Sequence, residues 1–369
     1  MIDEPRVLEI ATRFHVGRPM AASPLGGGHI HDTWVVTVAT PRGDVRFVHQ
    51  RLNRAVFERP EQVMENVERV TTHLRAKLLE AGRDPERHTL TLVRALDGRP
   101  YCVDAEGEYW RSYRFIEGAR TYGVVQGPRH AYETSRAFGS FLALVADLPG
   151  PALHETVPAF DDTRGRFHAF ARAVEADRVA RAARVAREID FAREREDLAG
   201  VLVELAVRGE VPRRIAHHDT KIDNVLIDDR TGEGLCVLDL DTVMPGTALY
   251  DFGDMVRYGA CRAAEDDPLP GRARVDLELF EQLARGWLDA TGGLLDPSEI
   301  EHLVDAGRCL TFVAGLRFLT DFLDGDAYFR TVRPEQNLDR CRVQFALVRD
   351  MEAQARPMHD IVRRHRRRA

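Results

Sequence analysis

Two neighbouring stretches decide the fold: HHDTKIDNVLID at residues 217–228 and VLDLDTVMPGTALYDFGD at residues 237–254. The 38 residues from 217 to 254 contain two histidines, one lysine and eight aspartates. The apolar runs NVLI and LCVL, joined by the turn DDRTGEG, predict a β-hairpin between the acids. A hairpin of that length returns the chain to its starting level, so it brings Asp239 beside Asn224 and Asp219.

This grouping of oxygen atoms suggests a missing cation. One carboxylate and one amide oxygen suit Mg²⁺, which prefers few protein oxygens together with phosphates and water. His217 and His218 are adjacent, so on a strand they point to opposite faces and do not readily share a transition metal. Asp251 and Asp254 have a simpler interpretation as buried hydrogen-bonding acids near a helix start.

Composition narrows the class of protein. The chain has 369 residues, 44% of them apolar, and can bury the core of a two-domain or bilobal unit. A net charge of −7 argues against a general nucleic-acid binder, although RRHRRR at residues 363–368 is a local basic exception. The five cysteines are scattered and form no CxxC pair, the N-terminus is acidic, and no long apolar run occurs. These features predict a soluble cytoplasmic protein without a membrane partner.

Lysine is scarce, because the 52 basic residues include only Lys77 and Lys221. Any chemistry that needs a lysine therefore has few candidates. The oligomeric state is left open by the sequence.

The chain reads as two regions. Short strands occupy residues 33–115 and are interrupted by one amphipathic helix, residues 60–82. Helical patterns dominate after residue 118, apart from the acidic hairpin. We predict an α+β, bilobal chain with a small mixed β/α N-terminal lobe at residues 1–115 and a larger, mainly helical C-terminal lobe at residues 116–369.

The spacing H-x-D-x-x-x-x-N, followed by an apolar-flanked aspartate, resembles the catalytic core of the kinase-like fold. The aspartate stands in LDLD, as in the aminoglycoside phosphotransferase and choline kinase branch of small-molecule kinases. Longer runs, spread from about residue 25 to residue 342, are similar to the N-acetylhexosamine 1-kinases: GGGHIHDTW, HQRLN, VMENVERVTTHL, YRFIEGA, DTKIDNVLID, LDLDTVMPGTALYDFGD and GLRFLTDFLDGD.

The resemblance implies roles for the matching residues. Asp219 matches the catalytic aspartate that orients the acceptor hydroxyl and takes its proton, and Asn224 and Asp239 match the magnesium ligands. Lys221 stands where serine/threonine protein kinases carry a lysine that meets the γ-phosphate. Asp241 is a candidate for a second metal contact or a sugar contact.

The nucleotide-binding motifs depart from the usual pattern. Gly26 and Gly28, in G-x-G-x-x-H, precede a strand and are candidates for approaching ATP phosphates through backbone N–H groups, although a plain hairpin turn explains them too. The strand VRFVHQRLN lacks the expected lysine. Arg51 is the preferred substitute, as in choline kinases, and Gln50 is the rival because alternating side chains let only one face the cleft.

The helix glutamate that should pair with that strand residue is Glu68 or Glu65. We prefer Glu68, because it lies nearer the apolar face of the helix. For the acceptor, Arg317 is the main candidate, since a charged residue in an apolar helical run needs a partner. Tyr122 and Arg257 are weaker candidates.

Three functions fit these patterns. The first is an ATP- and Mg²⁺-dependent kinase of the anomeric hydroxyl of an N-acetylhexosamine. The second keeps the phosphoryl-transfer chemistry but changes the acceptor to an aminoglycoside, another hexosamine, an amino alcohol or homoserine. Aminoglycosides are polycations, so this function predicts an acidic acceptor pocket, which the acids at residues 265–267 could supply. The third is a nucleotide-binding regulator without turnover, supported only by the missing strand lysine.

Overall fold

A computed structural model of the chain describes residues 2–26, 30–41 and 43–366. Its N-terminal region is built on an antiparallel sheet in the order β1-β2-β3-β6-β4, with β5 also paired to β6. The strands are β1 (Arg18–Pro24), β2 (Asp32–Thr40), β3 (Gly43–Arg51), β4 (Leu92–Val93), β5 (Cys102–Val103) and β6 (Tyr109–Arg114).

Three helices accompany this sheet: α1 (Glu4–Ala11), α2 (Pro60–Glu80) and the short α3 (Pro85–His88). The predicted helix and the predicted strands are confirmed, although the strands expected near residues 89–103 shrink to two residues each. Helix α1 and strand β1 were not predicted. The signal for α1 was present, because Asp3 caps the helix by accepting from the backbone N–H of Arg6 and a proline follows in the first turn.

The two faces of the sheet have different surroundings. Trp34, Val36 and Val38 alternate along β2 and form a small apolar core with α1. His49 lies opposite Trp34 in the ladder, so it shares that outer face. The neighbouring Gln50 therefore lies on the inner face, toward the C-terminal part.

The C-terminal part is mainly helical. Its helices are α4 (Pro128–Val145), α5 (Thr163–Ala176), α6 (Ala186–Arg193), α7 (Glu196–Val207), α8 (Ala248–Gly259), α9 (Leu277–Thr291), α10 (Pro297–Glu301), α11 (Leu303–Leu323), α12 (Gln336–Ala353) and α13 (Ala355–Arg366). Helix α11 is buried along most of its length and packs against α5, α7, α8 and α12. Among the described residues, no helix combines the length and apolar character needed to cross a bilayer.

Two small ladders position the acidic stretch. One contains β7 (Ala119–Arg120), β9 (Val225–Asp228) and β10 (Gly234–Val237); the other pairs β8 (Arg214–Ala216) with β11 (Met244–Gly246). The predicted hairpin is confirmed as β9–β10, and the backbone N–H of Leu238 donates to the carbonyl of Asn224 at 2.8 Å. The α+β architecture, with a mixed N-terminal region and a mainly helical remainder, is also confirmed.

Candidate active site

The loop after β8 carries Asp219, and side chains of helix α8 bind the backbone of this loop. Both oxygens of Asp251 accept backbone N–H groups, from His217 and His218, each at 2.8 Å. Asp254 accepts the backbone N–H of Thr220 at 2.9 Å. The structure therefore gives these two acids the hydrogen-bonding role expected of them. Burial raises the pKa of Asp251 to about 7, although the two N–H donors oppose that shift.

His217 connects this loop to the hairpin. Its Nδ1 lies 3.3 Å from the backbone N–H of Asp219, so Nδ1 accepts and Nε2 carries the proton donated to the carbonyl of Leu238 at 2.8 Å. The ring packs edge-on against Phe138 and Phe141. Burial lowers the pKa of His217, which keeps the ring neutral and its tautomer fixed.

Asp219, Asn224 and Lys221 come together as the spacing predicts. Nδ2 of Asn224 donates to the backbone carbonyl of Asp219 at 2.9 Å and to its Oδ2 at 3.0 Å. Nζ of Lys221 lies 3.0 Å from the same Oδ2. Burial opposes ionisation of Asp219, but the charge of Lys221 and the hydrogen bonds from Lys221 and Asn224 hold its pKa below the ordinary value. The carboxylate therefore stays ionised and retains about a quarter of its side-chain surface, so it can reach a ligand.

Asp239 follows β10 in a left-handed conformation, with φ 57°. This is an uncommon conformation for a non-glycine residue, and it turns the carboxylate back toward the loop. Oδ2 of Asp239 lies 4.0 Å from Nζ of Lys221. Burial, followed by the negative charges of Asp241 and Asp219, raises the pKa of Asp239 to about 6.

The donor set fits a divalent cation. Ligand atoms of His31, Asp239 and Asp241 lie within 4.8 Å of one another. Asn224 commits its Nδ2 to Asp219, which leaves its amide oxygen as the atom a metal would use. A dication among carboxylates this close would relieve their mutual repulsion.

Asp241 is deeply buried, with 1% of its side chain exposed. Both of its oxygens face the guanidinium of Arg111 on β6, with Nη2 to Oδ2 at 2.8 Å and Nη1 directed at Oδ1. Nε2 of His31 lies 2.5 Å from Oδ2, and Nδ1 of that ring accepts the backbone N–H of Asn53. Arg111 was not predicted from the sequence, because its partner Asp241 lies 130 residues away along the chain.

Of the two candidates on β3, only Gln50 turns toward this cluster. Oε1 of Gln50 accepts from Nε of Arg111 at 2.9 Å. Arg51 projects from the other face and pairs with Asp32 at 2.5 Å. The structure therefore does not bring the preferred residue, Arg51, to the site, because alternation along β3 directs it away from the cleft.

The other predicted nucleotide residues are the two glycines and the helix glutamate. Gly26 lies exposed in the turn after β1, and Gly28 lies outside the described residues. Glu68 pairs with Arg94, and Glu65 pairs with His154 at 2.8 Å. Neither glutamate meets the β3 residue that it was expected to pair with.

On the acceptor side, Arg317 lies on α11 and packs over the rings of Tyr328 and Phe329, at 5.9 and 5.3 Å. Arg166 on α5 is a neighbour that the sequence analysis did not identify: burial and then the charge of Arg317 lower its pKa. In the described parts of the chain, neither guanidinium makes an ion pair or a side-chain hydrogen bond. Burial raises the pKa of Tyr250 on α8, and the charges of both arginines oppose that rise.

The remaining acceptor candidates lie elsewhere or are already paired. Tyr122 packs against His130 and lines a cavity of about 360 Å³ with Gly232, at the turn end of the hairpin. Asn224 stands at the opposite end, so Tyr122 is not brought to Asp219. Arg257 pairs with Asp254 at 3.0 Å and with Glu265 at 2.9 Å.

The fold and the acidic loop together define a kinase-like phosphotransferase. Residues 21–289 match the phosphotransferase enzyme family abbreviated APH, and the chain belongs to that family. It is a small-molecule phosphotransferase whose acceptor the match does not specify.

Three solved structures share the fold at low identity. An aminoglycoside phosphotransferase from Alicyclobacillus acidocaldarius has 13% sequence identity and a TM-score of 0.59, and the match covers 98% of this chain and 95% of that chain. A spectinomycin phosphotransferase in complex with ADP and spectinomycin has 12% identity and a TM-score of 0.59, with 94% of this chain and 98% of that chain covered. A microcompartment-associated aminopropanol kinase has 14% identity and a TM-score of 0.58, with 96% of this chain and 98% of that chain covered. At these identities the likeness shows the fold alone.

Proposed function

We propose that the protein is an ATP- and Mg²⁺-dependent kinase that phosphorylates the anomeric hydroxyl of an N-acetylhexosamine. The observation that carries the transfer chemistry is the contact of Asp219 with both Asn224 and Lys221, directly beside Asp239. The proposal includes a cytoplasmic location, supported by the five free cysteines.

In this mechanism Asp219 accepts a hydrogen bond from the acceptor hydroxyl, orients its oxygen toward the γ-phosphate of ATP and takes the proton as transfer proceeds. The hydrogen bond from Asn224 fixes the rotamer of that carboxylate. Lys221 stabilises the negative charge that develops on the transferred group.

Asp239 and the amide oxygen of Asn224 would hold the metal, with Asp241 as a further ligand candidate. Bound Mg²⁺ would neutralise charge on the nucleotide phosphates. The inner face of the N-terminal sheet, marked by Gln50, would cover the nucleotide.

The acceptor side favours a neutral sugar over a polycationic aminoglycoside. Arg317 and Arg166 lie together, and neither makes an ion pair with a described residue, although the charge of Asp162 opposes the lowering of the pKa of Arg166. The acids that could have made the pocket acidic are already paired, Glu265 with Arg257 and Asp266 with Arg333. A polycation would be repelled by two guanidinium groups that form no ion pair, whereas the hydroxyl oxygens of a sugar can accept hydrogen bonds from both. We therefore assign Arg317 to the sugar.

The experiment incubates the protein with Mg-ATP and a panel of N-acetylglucosamine, N-acetylgalactosamine, glucosamine, galactose, homoserine and kanamycin, and identifies products by phosphorus NMR. We expect a phosphate at the anomeric oxygen of an N-acetylhexosamine. Asp219→Asn should lower turnover by roughly 10²–10⁴-fold, the usual contribution of a general base. Asp147→Asn, at an exposed helix-surface pair, is the matched control.

Product identity separates the alternatives. Phosphorylation of kanamycin or homoserine alone would keep the roles of Asp219 and Asp239 but overturn the sugar assignment. Nucleotide binding without transfer to any of the six acceptors would favour the regulator hypothesis.

A further inference from the structure

A kinase-like fold normally holds the nucleotide phosphates with a strand lysine paired to a helix glutamate. Neither partner is available here. Lys77 lies on α2 and pairs with Asp147 at the surface, and Lys221 belongs to the catalytic loop. The two glutamates of α2 considered for this pair are bound elsewhere, as described above.

A different buried pair occupies this part of the cleft. Arg111 is opposite Gln50 in the β3–β6 ladder, and the amide of Gln50 holds its Nε at 2.9 Å. The same guanidinium presents its two terminal nitrogens to the two oxygens of Asp241. Burial of both charges is tolerated because each satisfies the other. The pair joins the N-terminal sheet to the segment that follows Asp239.

The position of Asp241 is fixed from three further sides. Its backbone carbonyl accepts the hydroxyl of Thr156 at 2.6 Å, and its Oδ2 meets Nε2 of His31. The hydroxyl of the next residue, Thr242, donates to the carbonyl of His217 at 2.7 Å. Asp239 lies two residues before Asp241, at the start of the same turn. A shift of the Asp241 side chain would therefore move the carboxylate proposed to hold the metal.

We infer that, in a cleft without the lysine–glutamate pair, Arg111 is a positioning residue that fixes Asp239 for Mg²⁺-nucleotide binding through Asp241. This inference rests on the proposed function. It assigns Gln50 the role of orienting Arg111, which explains why β3 carries an amide where a lysine is expected. Removing Arg111 leaves the Asp241 carboxylate buried beside Asp239 without the guanidinium that binds both of its oxygens. The negative charges of Asp241 and Asp239 then repel each other, and the Asp239 carboxylate moves away from the metal position.

The test measures ADP affinity by titration calorimetry with and without Mg²⁺, and takes the ratio of the two affinities. Arg111→Met should lower this ratio by about tenfold or more, equivalent to ~1.4 kcal/mol, while affinity without Mg²⁺ changes within about threefold. Arg114→Met is the matched control. Arg114 lies on the same strand but is exposed, and its distance of 3.8 Å from Glu86 makes a weak ion pair.

A general loss of stability would weaken ADP binding with and without Mg²⁺ alike, so the ratio isolates the positioning role. An unchanged ratio in Arg111→Met would overturn the inference. If Arg111→Met does not fold, Arg111→Lys is tested instead. The positive charge remains, but a single ammonium cannot bind both Asp241 oxygens as the guanidinium does, so the affinity ratio should still fall. An unchanged ratio in Arg111→Lys would contradict the inference.

The two proposals fail in different ways. Wild-type protein that binds ADP with no gain from Mg²⁺ would overturn the proposed function, and the inference with it. A wild-type gain that survives removal of Arg111 would overturn the inference alone.

Discussion

Lys221 stands between the two acids that the proposed mechanism uses, 3.0 Å from Asp219 and 4.0 Å from Asp239. Lys221→Met should lower kcat by about 10²–10³-fold, the cost of losing one donor that stabilises developing charge. Lys77→Met is a matched control, because it removes the only other lysine from an exposed helix face. Initial rates at saturating ATP measure both. Equal activities of the two variants would contradict the assigned role.

Arg317 offers a guanidinium that packs over the rings of Tyr328 and Phe329 but makes no ion pair with the described side chains. Arg317→Met should raise the acceptor KM by roughly 10- to 100-fold, since a hydrogen bond to a charged group contributes ~1.5–3 kcal/mol. The KM for ATP should stay unchanged. Arg308→Met, on the same helix but paired with Asp305 at 3.3 Å, should change the acceptor KM by no more than about twofold. A rise in the ATP KM alone would assign Arg317 to the nucleotide instead.

At the scale of elements, the catalytic loop depends on α8 for its shape. Asp251→Asn replaces two acceptor oxygens with one, so either His217 or His218 keeps a buried N–H without a partner. We expect a loss of about 1–3 kcal/mol in the free energy of unfolding, measured by urea titration. Asp147→Asn, at the surface, should leave the free energy of unfolding close to that of wild type. Unfolding free energies equal to wild type in Asp251→Asn would show that the loop holds its shape without this anchor.

Elements and residues that depend on local spacing were predictable. The hairpin and the acidic loop follow from apolar runs, a turn and a fixed count of residues, so Asp219, Asn224 and Asp239 were grouped correctly. The choice between Gln50 and Arg51 was not predictable, because alternation gives a strand two faces without showing which one meets the cleft. Packing of α1 against the outer face decides it, and α1 was itself not predicted. Arg111 depends on a contact between β6 and the segment after β10, which no local pattern encodes.

For the whole molecule, acid sensitivity should follow from histidines buried in neutral form. His49 lies fully buried under α1, and burial lowers its pKa to about 4. The unfolded chain takes up this proton near pH 6.5 and the folded chain does not, so stability is lost as pH falls from 6.5 toward 4. The difference of about 2.5 pKa units corresponds to roughly 3 kcal/mol.

Urea titrations at pH 7 and pH 4.5 can isolate this contribution. The variant His49→Gln does not titrate and should lose less stability between the two pH values than wild type. His15→Gln is the control, because His15 is exposed in the folded chain. Parallel losses in wild type and His49→Gln would assign the acid sensitivity to other buried groups, such as His218, whose pKa burial lowers to about 4 as well.

The scarcity of lysine makes covalent labelling of this protein unusually easy to interpret. Apart from the amino terminus, an acylating reagent has two lysine targets: Lys77, in a surface pair with Asp147, and Lys221, held among carboxylates. Neighbouring acids raise the pKa of both amines, so accessibility should decide the order, and the surface lysine should be modified first. Mass spectrometry of the labelled protein would then report opening of the catalytic loop as the arrival of a second adduct. Ligands that close the loop would appear as protection of a single residue.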